Sequence, residues 1–184
     1  MAQAEEAYQH AETLYRQGRD NLGLANTLKS RGDLFVRLGK VDQADEAYQH
    51  AEALYRQERD NLGLANTLKS RGDLFVRLRK VDQAEELYRQ ALLLYESIQE
   101  PYGMAITCAS LSAILAVSDP CGDEGDMLAQ RAKQIAEQLP PNVKAKIISL
   151  LERQYILTYG SVNRSLIIPY RAMLQAPQLG GKKP

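Results

Sequence analysis

The chain contains two nearly identical blocks of 40 residues, 4–43 and 44–83. A repeat period between about 20 and 50 residues is typical of solenoids, propellers and arrays. In such folds each unit buries its apolar face against the next unit, so the structure grows by stacking. The repeat therefore restricts this chain to a stack of similar units. The blocks differ at four positions: Glu5/Asp45, Thr13/Ala53, Gly18/Glu58 and Gly39/Arg79.

Each period contains two stretches with helical spacing. Small and apolar residues recur every three or four positions from Ala25 to Leu38, and again from Val41 to Tyr55, as they would on one face of a helix. Gly39 lies between the two stretches, where a left-handed residue can end a helix. Residues 1–100 contain no proline. We predict a helix A near residues 20–38 and a helix B near 41–58, repeated 40 residues later.

The order of large, small and aromatic residues in each period resembles the tetratricopeptide repeat (TPR) family. The period of 40 residues instead of about 34, with no proline closing helix B, is similar to the long-helix variant of kinesin light chain, spindle-orientation adaptors and bacterial or fungal signalling proteins. The resemblance covers residues 4–100 and implies an all-α fold, a right-handed α-solenoid of about nine helices. It is carried by Leu28, Gly32, Phe35, Gly39, Ala44, Tyr48 and Ala51, and again by Leu68, Gly72, Phe75, Ala84, Tyr88 and Ala91.

The rest of the chain follows the same organisation less regularly. We predict one solenoid over residues 1–160, with a half repeat at 4–19, repeats at 20–59 and 60–99, a degenerate repeat at 100–139 and a partial repeat at 140–160. Within these, a helix B is expected near 124–138 and a helix A near 142–159. Residues 161–174 could form a capping helix, and 175–184 are expected to be a flexible tail.

The resemblance also implies a binding surface, because the A helices of TPR arrays line a concave groove. Asparagine amides there could hydrogen-bond an extended peptide backbone, and lysine and arginine could hold acidic side chains. A chaperone-type carboxylate clamp needs asparagine where this chain has aspartate, which speaks against that specificity. The groove-facing residues that the family pattern implies are Asn26, Lys29, Asp33 and Arg37, with Asn66, Lys69, Asp73 and Arg77 one period later, and Val36 and Val76 beside them.

Charge alternates between the two helix types, although the formal net charge of the chain is zero. Basic residues outnumber acidic ones by two over residues 20–40 and by three over 60–80. Acidic residues are in excess by four over 41–58 and by three over 81–98. Two interpretations remain open: the groove is more basic than the outer wall, or the A and B helices simply complement one another electrostatically.

No catalytic motif is recognisable, and we predict that the protein is not an enzyme and uses no cofactor or metal. His10 and His50 occupy the same repeat position and are expected to be exposed. The two cysteines, Cys108 and Cys121, are too few for a disulfide framework, and the N-terminus is too polar for a signal peptide. A cytoplasmic protein without nucleic-acid or membrane partners is expected, since neither a net basic charge nor a spanning apolar run of about 20 residues is present.

Arg31 and Arg71 occupy a position where the family pattern has a large apolar residue. Either the guanidinium reaches solvent along its aliphatic stem, or it is partly buried and pairs with a carboxylate of a neighbouring helix B, such as Glu12 or Glu52. An unpaired buried charge would be too costly.

The leading hypothesis for function is a protein–protein interaction module that binds a peptide segment, with acidic residues, in the groove. The alternative is a structural or sensor array that forms part of a larger signalling protein and self-associates through its incomplete first repeat. That repeat is a helix B without a helix A before it, so its apolar stripe should be exposed and could form a homodimer. The stripe consists of Ala4, Ala7, Tyr8, Ala11, Leu14 and Tyr15.

Overall fold

A computed structural model describes residues 2–118 and 122–159. The chain divides into two compact units, Met1–Thr107 and Cys108–Pro184, and the described residues contain eight helices. These are α1 (Ala2–Gly18), α2 (Asn21–Arg37), α3 (Val41–Glu58), α4 (Asn61–Arg77), α5 (Val81–Ser97), α6 (Pro101–Ser118), α7 (Glu124–Ala136) and α8 (Pro141–Tyr159).

Polar caps and left-handed residues set the helix boundaries in the first unit. The Asp20 carboxylate accepts a hydrogen bond from the backbone N–H of Gly23 at 2.8 Å, which satisfies one of the free donors at the start of α2. Asp60 caps α4 in the same way. Between α2 and α3, Gly39 adopts φ +70°, and Arg79 adopts φ +58° at the equivalent place. The helix caps and the turns between helices therefore recur one period later, as the sequence does.

Helix pairs in the first unit pack through a glycine against a tyrosine ring. α2 packs on α3 and α4 on α5, while α1 contacts α2 and α3 contacts α4. A Cβ at Gly32 would lie 2.6 Å from the Tyr48 ring, and one at Gly72 would lie 2.8 Å from the Tyr88 ring. Because no real Cβ contact is that short, only glycine lets these helices approach so closely. The tyrosines are themselves 2% exposed, so each ring fills the space that the glycine leaves.

The second unit contains the remainder of α6 together with α7 and α8. Gly125 of α7 lies against α6, where an added Cβ would be 3.5 Å from the Leu115 Cβ and from the Ser112 carbonyl. α7 also packs on α8. Cys108 is fully buried. The apolar core is completed by Leu111, Leu128, Ala132, Ile147 and Leu151.

The helix predictions are confirmed within a few residues wherever the structure describes the chain. Helix A of the first full period, expected near 20–38, is α2, and helix B, expected near 41–58, is α3. The helices expected near 124–138 and 142–159 are α7 and α8. The ninth helix at 161–174 and the tail at 175–184 lie outside the described residues, and one continuous solenoid over 1–160 stays a prediction. No helix in the described part of the chain is long and apolar enough to cross a membrane.

Candidate peptide-binding groove

A cleft of about 170 Å³ lies where α2, α3 and α4 meet in the first unit. Four of the eight residues predicted to line a groove surround it, while Asn26, Asn66, Lys29 and Lys69 do not. Tyr48, Ser70 and Leu74 also line the cleft and were not among the predicted site residues. The complete lining is Asp33, Val36, Arg37, Tyr48, Ser70, Asp73, Leu74 and Arg77.

The aspartates of the cleft are already satisfied within the protein. Lys29 Nζ lies 2.7 Å from Asp33 Oδ2, and the Tyr48 hydroxyl donates to Asp33 Oδ1 at 2.7 Å. The second period repeats this arrangement, with Lys69 at 2.7 Å from Asp73 Oδ2 and a hydrogen bond from the Tyr88 hydroxyl to Asp73 Oδ1. The lysines therefore neutralise aspartates on their own helices and are not free for a ligand.

Burial keeps the tyrosine hydroxyls protonated, so that they can donate these hydrogen bonds. Burial is the largest cause that raises the pKa of Tyr48. The hydrogen bond that Tyr48 donates to Asp33 and the negative charge of Asp33 raise the pKa further. Burial, with a smaller contribution from the charge of Asp60, raises the pKa of Tyr55 to about 12. A neutral phenol that donates to a carboxylate is a charge-assisted hydrogen bond, which fixes Asp33 in place.

The asparagines are held by a second set of buried tyrosines. The Tyr55 hydroxyl donates to Asn26 Oδ1 at 2.7 Å, and the Tyr95 hydroxyl donates to Asn66 Oδ1 at 2.8 Å. Both asparagines are exposed. Each amide oxygen accepts one hydrogen bond from a tyrosine, while the amide nitrogen keeps both of its N–H donors for a ligand. The sequence predicted amides that donate and accept, whereas the structure favours donation.

The arginines are the unbalanced charges of the cleft. Arg37 and Arg77 are exposed, and neither has an ion-pair partner among the described residues. Because Lys29 and Lys69 offset the two aspartates, the positive charge of these two guanidiniums has no counterpart at the cleft. The arrangement presents hydrogen-bond donors and positive charge, which suits carboxylates and backbone carbonyls.

A separate ionic layer lies between consecutive repeats. Arg31 Nη1 is 2.8 Å from Glu12 Oε1, and the Arg71 guanidinium contacts Asp45 at 2.5 Å and Glu52 at 3.4 Å. Glu12 and Glu52 are 4% and 3% exposed. Of the two sequence-based alternatives for these arginines, pairing with a carboxylate of a neighbouring helix B is therefore confirmed. The layer joins repeats and does not line the cleft.

The described residues contain no cluster of three or more His, Cys, Asp or Glu side chains that could hold a metal ion. His10 and His50 are exposed, as their position on helix B predicts.

Comparison with known proteins gives a family match for part of the chain and a fold. Residues 39–97 match the tetratricopeptide repeat family. The chain resembles the crystal structure of BtubC (BKLC) from P. vanneervenii with a TM-score of 0.65 and 20% identity, over 99% of this chain and 80% of that one. It also resembles the nearly identical TPR-like repeats of a kinesin light chain-like protein from Podosopora anserina, with a TM-score of 0.58 and 14% identity, over 96% and 90% of the two chains. These likenesses show an all-α repeat solenoid. No curated protein matches the chain in sequence.

Proposed function

We propose that this chain, whose residues 39–97 match a repeat family with a fold that generally serves protein–protein interaction, binds an acidic peptide segment along the exposed face of α2 and α4. The observation that carries the proposal is the charge state of the cleft. Arg37 and Arg77 have no ion-pair partner among the described residues, while Asp33 is satisfied by Lys29 and Tyr48. An acidic side chain of the ligand would supply the missing counter-charge.

The asparagines extend the same surface towards the start of each helix. Asn26 and Asn66 recur at one-period spacing, and Tyr55 and Tyr95 hold their amide oxygens. Their N–H groups are then oriented donors for the carbonyl oxygens of an extended peptide. Side chains held in place before binding lose less entropy when the ligand arrives.

Exposed apolar residues on the same helical stripe give the ligand a second requirement. Leu22 and Leu62 are 41% and 45% exposed, and Val76 is 42% exposed. Leu22 lies one turn before Asn26, so leucine, asparagine and arginine follow one another along one face of α2. We therefore expect a ligand that carries at least one apolar side chain beside its acidic residues.

Peptide selection followed by fluorescence anisotropy tests this proposal. A display library of random peptides is selected on the purified protein, and a selected peptide is labelled and titrated. Arg37→Gln combined with Arg77→Gln should weaken binding at least tenfold, which corresponds to about 1.4 kcal/mol. Raising the ionic strength above about 0.15 M should weaken binding to the parent chain further.

The chain supplies a charge-matched control. Arg19→Gln combined with Arg59→Gln also removes two positive charges, and both residues are exposed outside the cleft. Gln99 occupies the same left-handed position one period later, so glutamine fits there. This control should bind like the parent chain. Equal losses in both double variants would show a non-specific charge effect, and unchanged affinity in the cleft variant would disprove the groove assignment.

Self-association through α1 is a second candidate function, favoured by the exposure of that helix. Leu14 is 53% and Tyr15 37% exposed, whereas Tyr55, the equivalent of Tyr15 in α3, is 2% exposed. Leu14→Glu should shift the chain towards monomer in analytical ultracentrifugation, while Gln9→Glu, an exposed change on the same helix, should not. A parent chain that is monomeric at all accessible concentrations would disprove this second function.

A further inference from the structure

The cleft of the first unit brings together two arginines that occupy the same repeat position, 40 residues apart in the sequence. Arg37 belongs to α2 and Arg77 to α4, and these two helices contact each other. Both arginines line the same cleft of about 170 Å³. Two guanidiniums from successive repeats therefore reach one site.

The charges around the cleft leave a surplus of two positive charges. Both carboxylate oxygens of Asp33 are occupied, because Lys29 lies 2.7 Å from one of them and the Tyr48 hydroxyl donates to the other at 2.7 Å. Asp73 is held in the same way one period later. Each aspartate is thus neutralised by a lysine of its own helix. The two guanidiniums remain, since neither has an ion-pair partner in the part of the chain that the structure describes.

Two positive charges in one cleft match a single group that carries two negative charges. An aspartate or glutamate of a ligand carries one, so it would leave one guanidinium unbalanced. A phosphorylated serine or threonine carries about −1.5 to −2 at pH 7 and has three strong acceptor oxygens. A guanidinium pairs with phosphate through two parallel hydrogen bonds. One phosphoryl group therefore supplies the charge and the acceptors that both arginines require.

The rest of the lining is compatible with a phosphorylated side chain. The cleft volume of about 170 Å³ is far larger than the about 10–15 Å³ that one water needs, which leaves room for a phosphoryl group. Ser70 also lines the cleft, and its hydroxyl can donate a hydrogen bond to a phosphate oxygen. Val36 and Leu74 add an apolar part to the lining, which suits an apolar side chain beside the phosphorylated residue.

We infer that the acidic element of the ligand is a phosphorylated serine or threonine, held by Arg37 and Arg77 together. The inference rests on the proposed function, because it names the chemistry that the same groove selects. Two repeats would then bind one phosphoryl group, and removal of either arginine would leave that group with a single guanidinium. Phosphorylation of the partner would therefore strengthen its binding to this chain.

Three peptide libraries test the inference. They share random flanking residues and differ in one fixed central residue, which is phosphoserine, glutamate or serine. Each fluorescent library is incubated with the immobilised full chain at increasing protein density, and the retained fraction gives an apparent affinity. The cleft variants are Arg37→Gln and Arg77→Gln, each alone. The control is the double variant Arg19→Gln, Arg59→Gln, whose residues are exposed outside the cleft. Circular dichroism checks that every variant is folded.

The parent chain should bind the phosphoserine library at least tenfold more tightly than the glutamate library, and the serine library most weakly. Either cleft variant should lower the affinity for the phosphoserine library at least tenfold, whereas the control should bind it like the parent chain. The preference for phosphoserine should also decrease as the pH falls through the second pKa of the phosphate, about 6, because glutamate with a pKa of about 4.3 keeps its charge there. None of the described residues around the cleft is a histidine, so this pH change acts on the ligand.

The outcomes separate this inference from the proposed function. If the glutamate library binds as tightly as the phosphoserine library and both depend on the cleft arginines, the inference is overturned and the proposed function stands. Phosphoserine binding that survives in the cleft variants, or that decreases equally in the control, would also overturn the inference. Retention of none of the libraries would contradict both.

Discussion

Replacing Arg71 by leucine should destabilise the first unit, although leucine is the residue that the chain itself carries one period later. Arg71 is the junction partner of Glu52, which is 3% exposed. After the substitution the Glu52 carboxylate keeps only Arg56, whose side chain is 51% exposed and lies 3.3 Å away. The buried carboxylate is then poorly compensated.

The expected magnitude follows from the burial of the pair. Removing one partner of a buried ion pair costs about 3–5 kcal/mol. Asp45, the other partner of Arg71, is 24% exposed at its side chain and can be hydrated, and Arg56 still approaches Glu52. Both facts place the loss near the lower limit, at about 3 kcal/mol.

The double variant separates charge burial from packing. Combining Arg71→Leu with Glu52→Leu reproduces the residues found at Leu111 and Leu92, and it leaves no buried carboxylate in the junction, because Asp45 and Arg56, which lose their partners, are partly exposed and can be hydrated. Replacing a buried ion pair by apolar residues is often neutral or stabilising by about 1–4 kcal/mol. The double variant should therefore be at least as stable as the parent chain.

The pH dependence of the single variant supplies a second readout. Burial raises the pKa of Glu52, and Arg71 and Arg56 oppose that rise, so removing Arg71 should raise the pKa further. A raised pKa means that the folded state keeps a proton that the unfolded chain loses. Stability then decreases as the pH rises from the ordinary glutamate pKa of about 4.3 through the raised value. The loss caused by Arg71→Leu should consequently shrink as the pH falls from neutral towards the ordinary pKa of glutamate.

Urea unfolding followed by circular dichroism measures these differences, with the midpoints compared because repeat arrays depart from two-state behaviour. A double variant as unstable as the single one would refute the reasoning, because the loss would then come from packing. A single-variant loss that does not change with pH would contradict the role given to the Glu52 charge.

Three further perturbations test the packing, the turns and the tyrosines. Tyr48→Ala should cost about 3–5 kcal/mol and increase hydrogen exchange chiefly in the units nearest to it; a uniform increase along the chain would contradict this. Arg79→Gly should stabilise by about 0.5–1 kcal/mol, because φ is positive there, while Gly39→Arg should destabilise by a similar amount in thermal melts. Above about pH 10 the chain should lose stability, since the pKa of Tyr55 is raised to about 12 and only the folded state keeps that proton; a Tyr55→Phe variant should show a smaller loss relative to its own value at neutral pH.

The helices were predictable because periodicity depends on local sequence alone. Spacings of three and four, with Gly39 between two stretches, placed the ends of α2 and α3 to within about two residues. The sequence also predicted that the apolar stripe of α1 is exposed, and two of its large residues are. Leu14 and Tyr15 are accordingly exposed.

The hydrogen-bond partners of the groove could not be read from spacing. Asp33 and Tyr48 are 15 residues apart, and Asn26 and Tyr55 are 29 apart, so these contacts depend on how two helices pack. The Lys29–Asp33 pair is different, because a spacing of four on one helix makes it predictable; the sequence analysis nevertheless treated Lys29 as free to bind a ligand.

Two equivalent acidic residues that differ by one methylene group form ion pairs with different partners. Glu5 and Asp45 occupy the same position in two nearly identical blocks. The longer Glu5 side chain reaches Lys40 at 3.3 Å, and the shorter Asp45 contacts Arg71. The ion-pair partner therefore differs between the two copies, and only three-dimensional distances reveal it.

Photo-crosslinking tests the location of the binding site most directly. A selected acidic peptide carrying a central benzoylphenylalanine is crosslinked to the parent chain, which is then digested with trypsin. Residues 20–29 and 60–69 give one identical fragment, and residues 32–37 and 72–77 give another, so both groove helices report together. The account predicts crosslinks on these two fragments and fewer on their counterparts in the Arg37→Gln, Arg77→Gln variant, where the fragments that begin at Gly32 and Gly72 extend to Lys40 and Arg79 because the cleavage sites are lost. Crosslinks concentrated on fragments of α3 and α5, or on α1, would contradict it.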